Sequence, residues 1–202
     1  MGEAATGRRA TNGPVILLAP KRHGDARGWF METWSEAWAT SCGIEARFVQ
    51  DNQSFSQAAG TVRGLHLQRP PHAQAKLVRC LRGAILDYAV DLRRGSPTYG
   101  RWTAARLTAE GAEQLFVPVG FAHGFVTLSE ATEVAYKVSD VHAPDCETGL
   151  AWDDPTLGLD WPLPETGPVL SARDRAWPPL TAFDTPFAYD ETPLAAPGER
   201  MN

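Results

Sequence analysis

Short strand-like segments separated by turn signals are the feature of this sequence that most restricts its fold. Runs of apolar residues recur roughly every 8 to 12 residues, with glycine, proline or aspartate between them. Residues 15–18, 76–81 and 114–117 are such runs, whereas helical periodicity is nearly absent. This pattern is typical of an antiparallel sandwich or barrel, so we predict an all-β fold.

The chain divides into three parts on this interpretation. Residues 1–13 are small and polar, which predicts a disordered tail, and residues 14–180 form the folded domain. Residues 181–202 are a proline-rich extension that we expect to pack as loop and then fray. Within the domain we expect a helix capped by Ser35, a strand over residues 47–52, and a hairpin over residues 76–92.

Composition and charge exclude several classes of function. The 202 residues are 43% hydrophobic and 21% charged, as expected of one globular domain. The net charge of −5 provides no basic surface for nucleic acid, so an anionic ligand must meet local cations. No apolar leader or membrane-length run is present, so we expect no membrane partner. The cysteines, Cys42, Cys80 and Cys146, fit no zinc spacing and predict free thiols in a cytoplasmic protein.

The stretch RGLHLQRPPHAQAK, residues 63–76, is the strongest candidate for chemistry. It places His66 in a short strand, Arg63 before it and Lys76 at the start of the next strand. A base that titrates near neutral pH beside two cations suits proton removal from an anionic, carbonyl-bearing substrate. The alternative is a histidine satisfied in the core between two surface cations.

Four further motifs carry polar residues to positions where a jelly roll has its cavity. The four are Asp25-Ala26-Arg27-Gly28, Gln50-Asp51-Asn52, Gly120-Phe121-Ala122-His123-Gly124 and Tyr136-Lys137, and they add to the His66 motif, Arg63-Gly64-Leu65-His66. In these motifs and their order the sequence resembles the dTDP-4-dehydrorhamnose 3,5-epimerase family, over residues 15–180. The resemblance implies a cupin-like double-stranded β-helix (jelly roll) with short helices and an irregular C-terminal segment.

The resemblance also implies a reaction and a set of catalytic residues. The family epimerises dTDP-4-keto-6-deoxy sugars without a cofactor, because the 4-keto group acidifies the hydrogens on C3 and C5. His66 matches the family's base, Asp174 its carboxylate partner and Tyr136 the acid on the other side of the sugar. Lys76 matches a residue that stabilises the enolate oxygen.

Further positions match the family's substrate-binding residues. They are Arg27, Glu32, Gln50, Asp51, Asn52, Arg63, Lys76, His123, His142, Glu147 and Arg173. Two of them differ from the family: His142 stands where a tyrosine usually stacks on thymine, and Arg173 replaces a lysine. Arginines suit the diphosphate, since guanidinium binds phosphate in bidentate fashion.

Other functions stay open at this point. A 3-only or 5-only epimerase of another nucleotide-linked 4-keto-deoxysugar would carry the same residues. A metal-dependent cupin would need paired histidines one residue apart, and Gln68 stands where the second would be, so we expect no metal. A silent sugar-nucleotide binder would not need both an acid and a base. The resemblance further implies a homodimer that exchanges an N-terminal strand, with Arg27 and Glu32 completing the partner's site.

Overall fold

The computed structural model describes residues 8–201 and is almost entirely β-structure. In chain order the elements are β1 (Arg8–Asn12), β2 (Val15–Ala19), β3 (His23–Asp25), β4 (Gly28–Phe30), α1 (Glu36–Ser41), β5 (Gln50–Ser56), β6 (Val62–Gln68), β7 (Lys76–Arg82), β8 (Ala84–Asp91), β9 (Trp102–Thr108), β10 (Gln114–Val117), β11 (Phe121–Thr127), β12 (Thr132–Val138), β13 (Glu147–Gly149) and β14 (Glu199–Met201). Short 3₁₀ turns lie at Pro144–Cys146 and Leu180–Ala182. Over residues 8–201, no helix has the length and apolar character needed to cross a membrane.

Two six-stranded sheets form the sandwich that the strand pattern predicts. The first sheet has the order β1-β2-β10-β7-β12-β5, and the second has the order β13-β6-β11-β8-β9-β14. All pairings are antiparallel except that of β14 with β9. The strands β3 and β4 form a separate exposed ribbon. The predicted all-β jelly roll is confirmed.

Most strands are covered on both faces, although β5 exposes its outer side chains. The strand β8 alternates as its sequence predicts: Ile85 and Ala89 pack between the sheets, while Tyr88 and Val90 pack on the outer face. That outer face is covered by the irregular segment after β13, and the outer face of the first sheet by residues around α1. Because they are covered twice, β8, β10 and β11 are buried along their whole length.

The predicted hairpin over residues 76–92 is wrong. The strand β7 lies in the first sheet and β8 in the second, so Gly83 turns the chain from one sheet into the other. The partner of β8 in a hairpin is β9. A strand that is apolar on both faces looks the same in a hairpin and in a corner, which is why the sequence did not separate them.

Other predicted boundaries also differ. The strand expected at residues 47–52 is displaced to β5, because Phe48 packs edge-on against Trp34 beside α1 instead of joining the sheet. The predicted disorder of residues 1–13 does not hold for β1, which pairs with β2, and residues 1–7 lie outside the described part. The segment expected to fray at the C-terminus instead adds β14 beside β9. The helix α1 forms as predicted, with Ser35 accepting a hydrogen bond from the Trp38 amide.

Candidate active site

A cavity of about 420 Å³ lies between the two sheets, in the size range of sites for small ligands. The strands β5, β7 and β12 of the first sheet form one wall, and β6, β11 and β13 of the second form the other. The residues that line it are mostly polar: Gln50, Asn52, Ser54, Arg63, His66, Leu67, Gln68, Gln74, Lys76, His123, Phe125, Tyr136, His142, Glu147, Ser171, Arg173 and Asp174.

An irregularity in β6 brings Arg63 and His66 to the same cavity. Strict alternation would place two side chains three positions apart on opposite faces of a strand. The pairing of β6 with β11 shifts register, because His123 lies opposite His66 whereas Phe125 lies opposite Arg63. The extra residue in β6 reverses the alternation, as a β-bulge does, and both polar side chains face inward.

His66 is paired with Asp174, the carboxylate partner that the family resemblance implies. Its Nε2 contacts Asp174 Oδ1, and the Ser171 hydroxyl donates to Oδ2 at 2.9 Å. Burial acts to raise the pKa of Asp174, but the hydrogen bond and charge of His66, together with the Ser171 hydroxyl, hold that pKa below its usual value. The carboxylate thus favours a proton on Nε2 and leaves Nδ1 as the nitrogen that can accept one.

Tyr136 and Lys76 project from the first sheet, opposite His66. Burial raises the pKa of the Tyr136 phenol, although the charge of Arg63 opposes the shift, so the group keeps its proton at neutral pH. Burial lowers the pKa of Lys76 to about 8, although the negative charges of Asp87 and Glu147 oppose it. The Lys76 Nζ donates to the His66 carbonyl oxygen at 3.3 Å and therefore reaches across the cavity.

A second histidine–aspartate pair lies deeper in the cavity. His123 Nε2 is 2.6 Å from Asp87 Oδ1, and both side chains are buried. Burial lowers the pKa of His123, and although Asp87 opposes this, Lys76 and His66 add to it. His123 is therefore neutral at pH 7. The other Asp87 oxygen, Oδ2, is buried and has no hydrogen-bond partner among the described residues.

The polar residues nearer the cavity mouth are held by one another. Arg173 Nη1 donates to Glu147 Oε2 at 2.7 Å, and Gln50 Nε2 donates to Asn52 Oδ1 at 2.8 Å. Gln50 Oε1 also accepts the backbone amide of His142 at 3.0 Å. These contacts hold the polar side chains at the mouth of the cavity in fixed positions.

Three predicted binding residues lie outside this cavity. Asp51 is turned away by the alternation of β5 and instead forms an ion pair with Lys137 at 2.9 Å, which corrects the expectation for that side chain. Arg27 and Glu32 belong to the exposed β3–β4 region, and the Arg27 side chain is 90% exposed. They do not contact the cavity of their own chain.

The sequence reasoning missed several cavity residues. Asp87 carried a usable signal, because a carboxylate at an inward position of an apolar strand is almost never buried without a partner. Ser171 precedes Asp174 by three residues, the spacing of a hydroxyl that bonds a nearby carboxylate. Gln74, Phe125 and Ser54 carried no comparable signal. Within residues 8–201 no cluster of three metal-ligating side chains occurs.

Comparisons with known proteins agree with this architecture. Residues 12–182 match the family described as dTDP-4-dehydrorhamnose 3,5-epimerase. A dTDP-4-dehydrorhamnose 3,5-epimerase of Pseudomonas aeruginosa is 51% identical over 162 residues, covering 80% of this chain and 88% of that protein. The corresponding protein of Sinorhizobium fredii is 49% identical over 175 residues, covering 87% of this chain and 89% of that protein.

Solved structures give the same result. The dTDP-6-deoxy-D-glucose-3,5-epimerase of Legionella pneumophila, crystallised with dTDP-4-keto-L-rhamnose, superimposes with a TM-score of 0.79. It is 43% identical in sequence, and the match covers 84% of this chain and 89% of that one.

Proposed function

The chain belongs to the dTDP-4-dehydrorhamnose 3,5-epimerase family, and we propose that it converts dTDP-4-dehydro-6-deoxy-D-glucose into dTDP-4-dehydro-L-rhamnose, the keto-sugar precursor of dTDP-L-rhamnose. One observation carries the proposal: a base on the second sheet, His66, and a protonated phenol on the first, Tyr136, line one cavity. Inversion at carbon needs an acid and a base on opposite faces of the sugar ring.

The first step is proton removal by His66. Its Nδ1 takes the hydrogen from C3 or C5, and the electron pair of the broken C–H bond moves into an enolate with the 4-keto oxygen. Asp174 keeps the imidazole oriented and stabilises the imidazolium that forms. This step needs no cofactor, since the ketone of the substrate accepts the electron pair.

The second step is proton return from the other side. Lys76, which is protonated below about pH 8, stabilises the negative enolate oxygen. Tyr136 then donates its proton to the carbon from the face opposite His66, which inverts the configuration. His123 is neutral and buried against Asp87, and its position in the same cavity suits a hydrogen bond to a hydroxyl of the sugar.

The nucleotide part of the substrate is assigned to the remaining polar residues. Arg63 and Arg173 supply cations for the diphosphate, which local charge must bind because the whole chain is acidic. Gln50, Asn52 and Glu147 supply hydrogen-bonding groups beside them. We assign His142 to the nucleobase, on which an imidazole can stack as the family's tyrosine does.

Deuterium exchange tests the reaction. Incubation with dTDP-4-dehydro-6-deoxy-D-glucose in deuterated water should place deuterium at both C3 and C5, measured by NMR and mass spectrometry of the product. Exchange at one carbon only would identify a 3-only or 5-only epimerase. Folded protein that exchanges neither carbon would refute the proposal.

The base assignment has its own test. His66→Ala should lower turnover by at least about 10²-fold, within the range of general-base contributions, while dTDP affinity stays within about twofold. His72, whose side chain is 40% exposed and does not line the cavity, supplies the control variant His72→Ala. If His66→Ala retains full exchange activity, another residue is the base.

We also propose a homodimer in which an N-terminal strand is exchanged and the β3–β4 region of one chain completes the site of the other. In this region Trp29 is 58% exposed and Phe30 is 70% exposed. Large aromatic side chains that are this exposed usually belong to interfaces. Arg27 and Glu32, which do not contact their own cavity, would then meet the partner's substrate. Sedimentation that finds a stable, fully active monomer would contradict this arrangement.

A cytoplasmic location is the last part of the proposal. Cys42, Cys80 and Cys146 are all free thiols in the structure, and a reducing compartment keeps thiols in that state. Cell fractionation followed by detection of the protein would test it. Recovery mainly from a secreted or membrane fraction would contradict it.

A further inference from the structure

Trp177 lies directly beside the His66–Asp174 pair, although it contributes nothing to the cavity wall. Its ring meets the imidazole edge-to-face, with centroids 6.1 Å apart and planes at 68°. This is the preferred geometry of an aromatic pair and restricts rotation of the smaller ring. Because Trp177 does not line the cavity, any effect it has on the reaction must pass through His66 or Asp174.

The position of the indole is fixed from behind by Gly149. A Cβ at Gly149 would meet the indole Cε2 at 2.8 Å and Cδ2 at 2.9 Å, so only glycine leaves room for the ring there. Gly149 lies opposite His66 in the ladder between β13 and β6. The next residue but one, Ala151, donates its amide to the Pro178 carbonyl at 2.8 Å and ties the segment that carries Trp177 to this edge.

The indole N–H is the second part of the observation. Nε1 is buried and has no hydrogen-bond partner within bonding geometry among the described residues. Unpaired buried donors are rare and costly, so an acceptor is expected nearby. Trp177 follows Asp174 by three residues and packs against the same His66 ring that contacts this carboxylate. Burial acts to raise the pKa of Asp174, and His66, Ser171 and then Trp177 act to lower it. A carboxylate can accept more hydrogen bonds than the two from His66 and Ser171.

We propose that Trp177 is a positioning residue for the catalytic base: its ring sets the orientation of the His66 imidazole, and its N–H shares the negative charge of Asp174. The proposal rests on His66 being the base of the proposed epimerisation. When the imidazole takes a proton from the substrate, the carboxylate must stabilise a neighbouring cation. A further donor to the carboxylate tunes how strongly it does so, and thereby the pH at which the pair becomes competent.

The test compares Trp177→Phe with Trp38→Phe. The first keeps an aromatic ring and removes the N–H, whereas Trp38 belongs to α1 and does not line the cavity. We expect Trp177→Phe to lower kcat about tenfold, to leave KM within about twofold, and to move the acidic limb of the pH profile of kcat/KM. Trp38→Phe should leave all three unchanged. A Trp177→Phe enzyme with the wild-type kcat and pH profile would overturn the proposal.

A second measurement keeps the proposal testable if Trp177→Phe fails to fold. Wild-type protein labelled with 5-fluorotryptophan should show one fluorine resonance that titrates with the same midpoint as the acidic limb of kcat/KM. Seven tryptophans that are all insensitive to pH across that limb would overturn the proposal.

The His66→Ala variant separates the role of Trp177 from the assignment of His66 as the base, because an active His66→Ala enzyme removes the base assignment. An inactive His66→Ala beside an unaffected Trp177→Phe removes only the role of Trp177.

Discussion

At the scale of single residues, burial is the largest influence on the pKa of three groups that line the cavity. It raises the pKa of Tyr136 and lowers those of His123 and Lys76. The same cavity therefore holds an acid that keeps its proton, a neutral imidazole and an ammonium that can lose its charge slightly above neutral pH.

Lys76 should determine the basic limit of activity. Its pKa of about 8 means that the ammonium is present below that pH and is lost as the pH rises through it. Lys76→Gln should lower kcat about 10²- to 10³-fold, as loss of one donor to a developing oxyanion does, and should abolish the limb near pH 8. The pH profile of kcat/KM measures both effects. Exposed Lys21 supplies the control, Lys21→Gln, and an unchanged basic limb in Lys76→Gln would contradict the assignment.

Asp87 should act on the same limb from a distance. Its negative charge opposes the lowering of the Lys76 pKa, so removing the charge must lower that pKa further. Asp87→Asn, which keeps the shape of the side chain, should therefore move the basic limb of kcat/KM to lower pH. Asp153→Asn, at an exposed position, should leave the limb in place. A shift to higher pH would show that another charge controls Lys76.

At the scale of elements, the path of β6, β7 and β8 builds the cavity. The bulge in β6 turns Arg63 inward beside His66, and the corner at Gly83 sends β7 and β8 into opposite sheets. Lys76, at the start of β7, thus faces His66 across the sandwich. A simple hairpin of β7 and β8 would have placed Lys76 and Asp87 in one sheet. The two residues would then not lie on opposite sides of the sandwich.

Gly83 should be sensitive to any side chain. Its φ is +79°, and a Cβ would meet Ser129 Oγ at 2.4 Å and Thr132 Oγ1 at 2.7 Å. Gly83→Ala should lower the free energy of unfolding by about 1–3 kcal/mol, measured by denaturant titration. Gly95→Ala is the matched control, because Gly95 has φ +86° but open space around it, and should cost only about 1 kcal/mol of backbone strain. Equal losses in both variants would show that the corner contacts contribute nothing.

At the scale of the whole molecule, the C-terminal segment of residues 183–201 packs against the second sheet but does not line the cavity. It buries Phe187 and Leu194 and adds β14 to the edge of the second sheet. Arg93, buried beside Asp91, reaches Asp190 of this segment at 2.5 Å. The match to the family ends at residue 182, so the whole segment lies beyond it. Covering a sheet edge protects it from pairing with other chains.

Phe187→Ala should therefore reduce stability and spare catalysis. Removing a buried phenylalanine costs about 3–5 kcal/mol in a core that cannot close the space. Because no residue of the segment lines the cavity, kcat per folded molecule should stay at the wild-type value. Denaturant unfolding and steady-state kinetics measure the two effects. The control variant Glu199→Ala, at an exposed position, should change neither stability nor kcat. A loss of kcat per folded molecule in Phe187→Ala would show that the segment influences the site.

Strand periodicity indicated most of the strands, and the resemblance to the epimerase family indicated much of the cavity. The alternation along β8 predicted its two faces, whereas the grouping of His66 with Tyr136, Lys76 and Asp174 was what the resemblance implied. The predicted side-chain positions were wrong where a polar edge strand has no alternation of apolar residues. In β5, Asp51 was expected at the cavity, but one step of alternation turns it to solvent.

The sequence by itself determined the fold class, because strand periodicity is a property of neighbouring residues, and it indicated the chemistry of the site through the motifs that resemble the epimerase family. Only the tertiary structure decided that β7 and β8 separate into opposite sheets, that Asp87 meets His123, and that Trp177 lies against His66. Each of these joins residues that are distant in the chain or depends on a corner between sheets. Such relations arise from the packing of two sheets against each other, for which no local pattern contains the information.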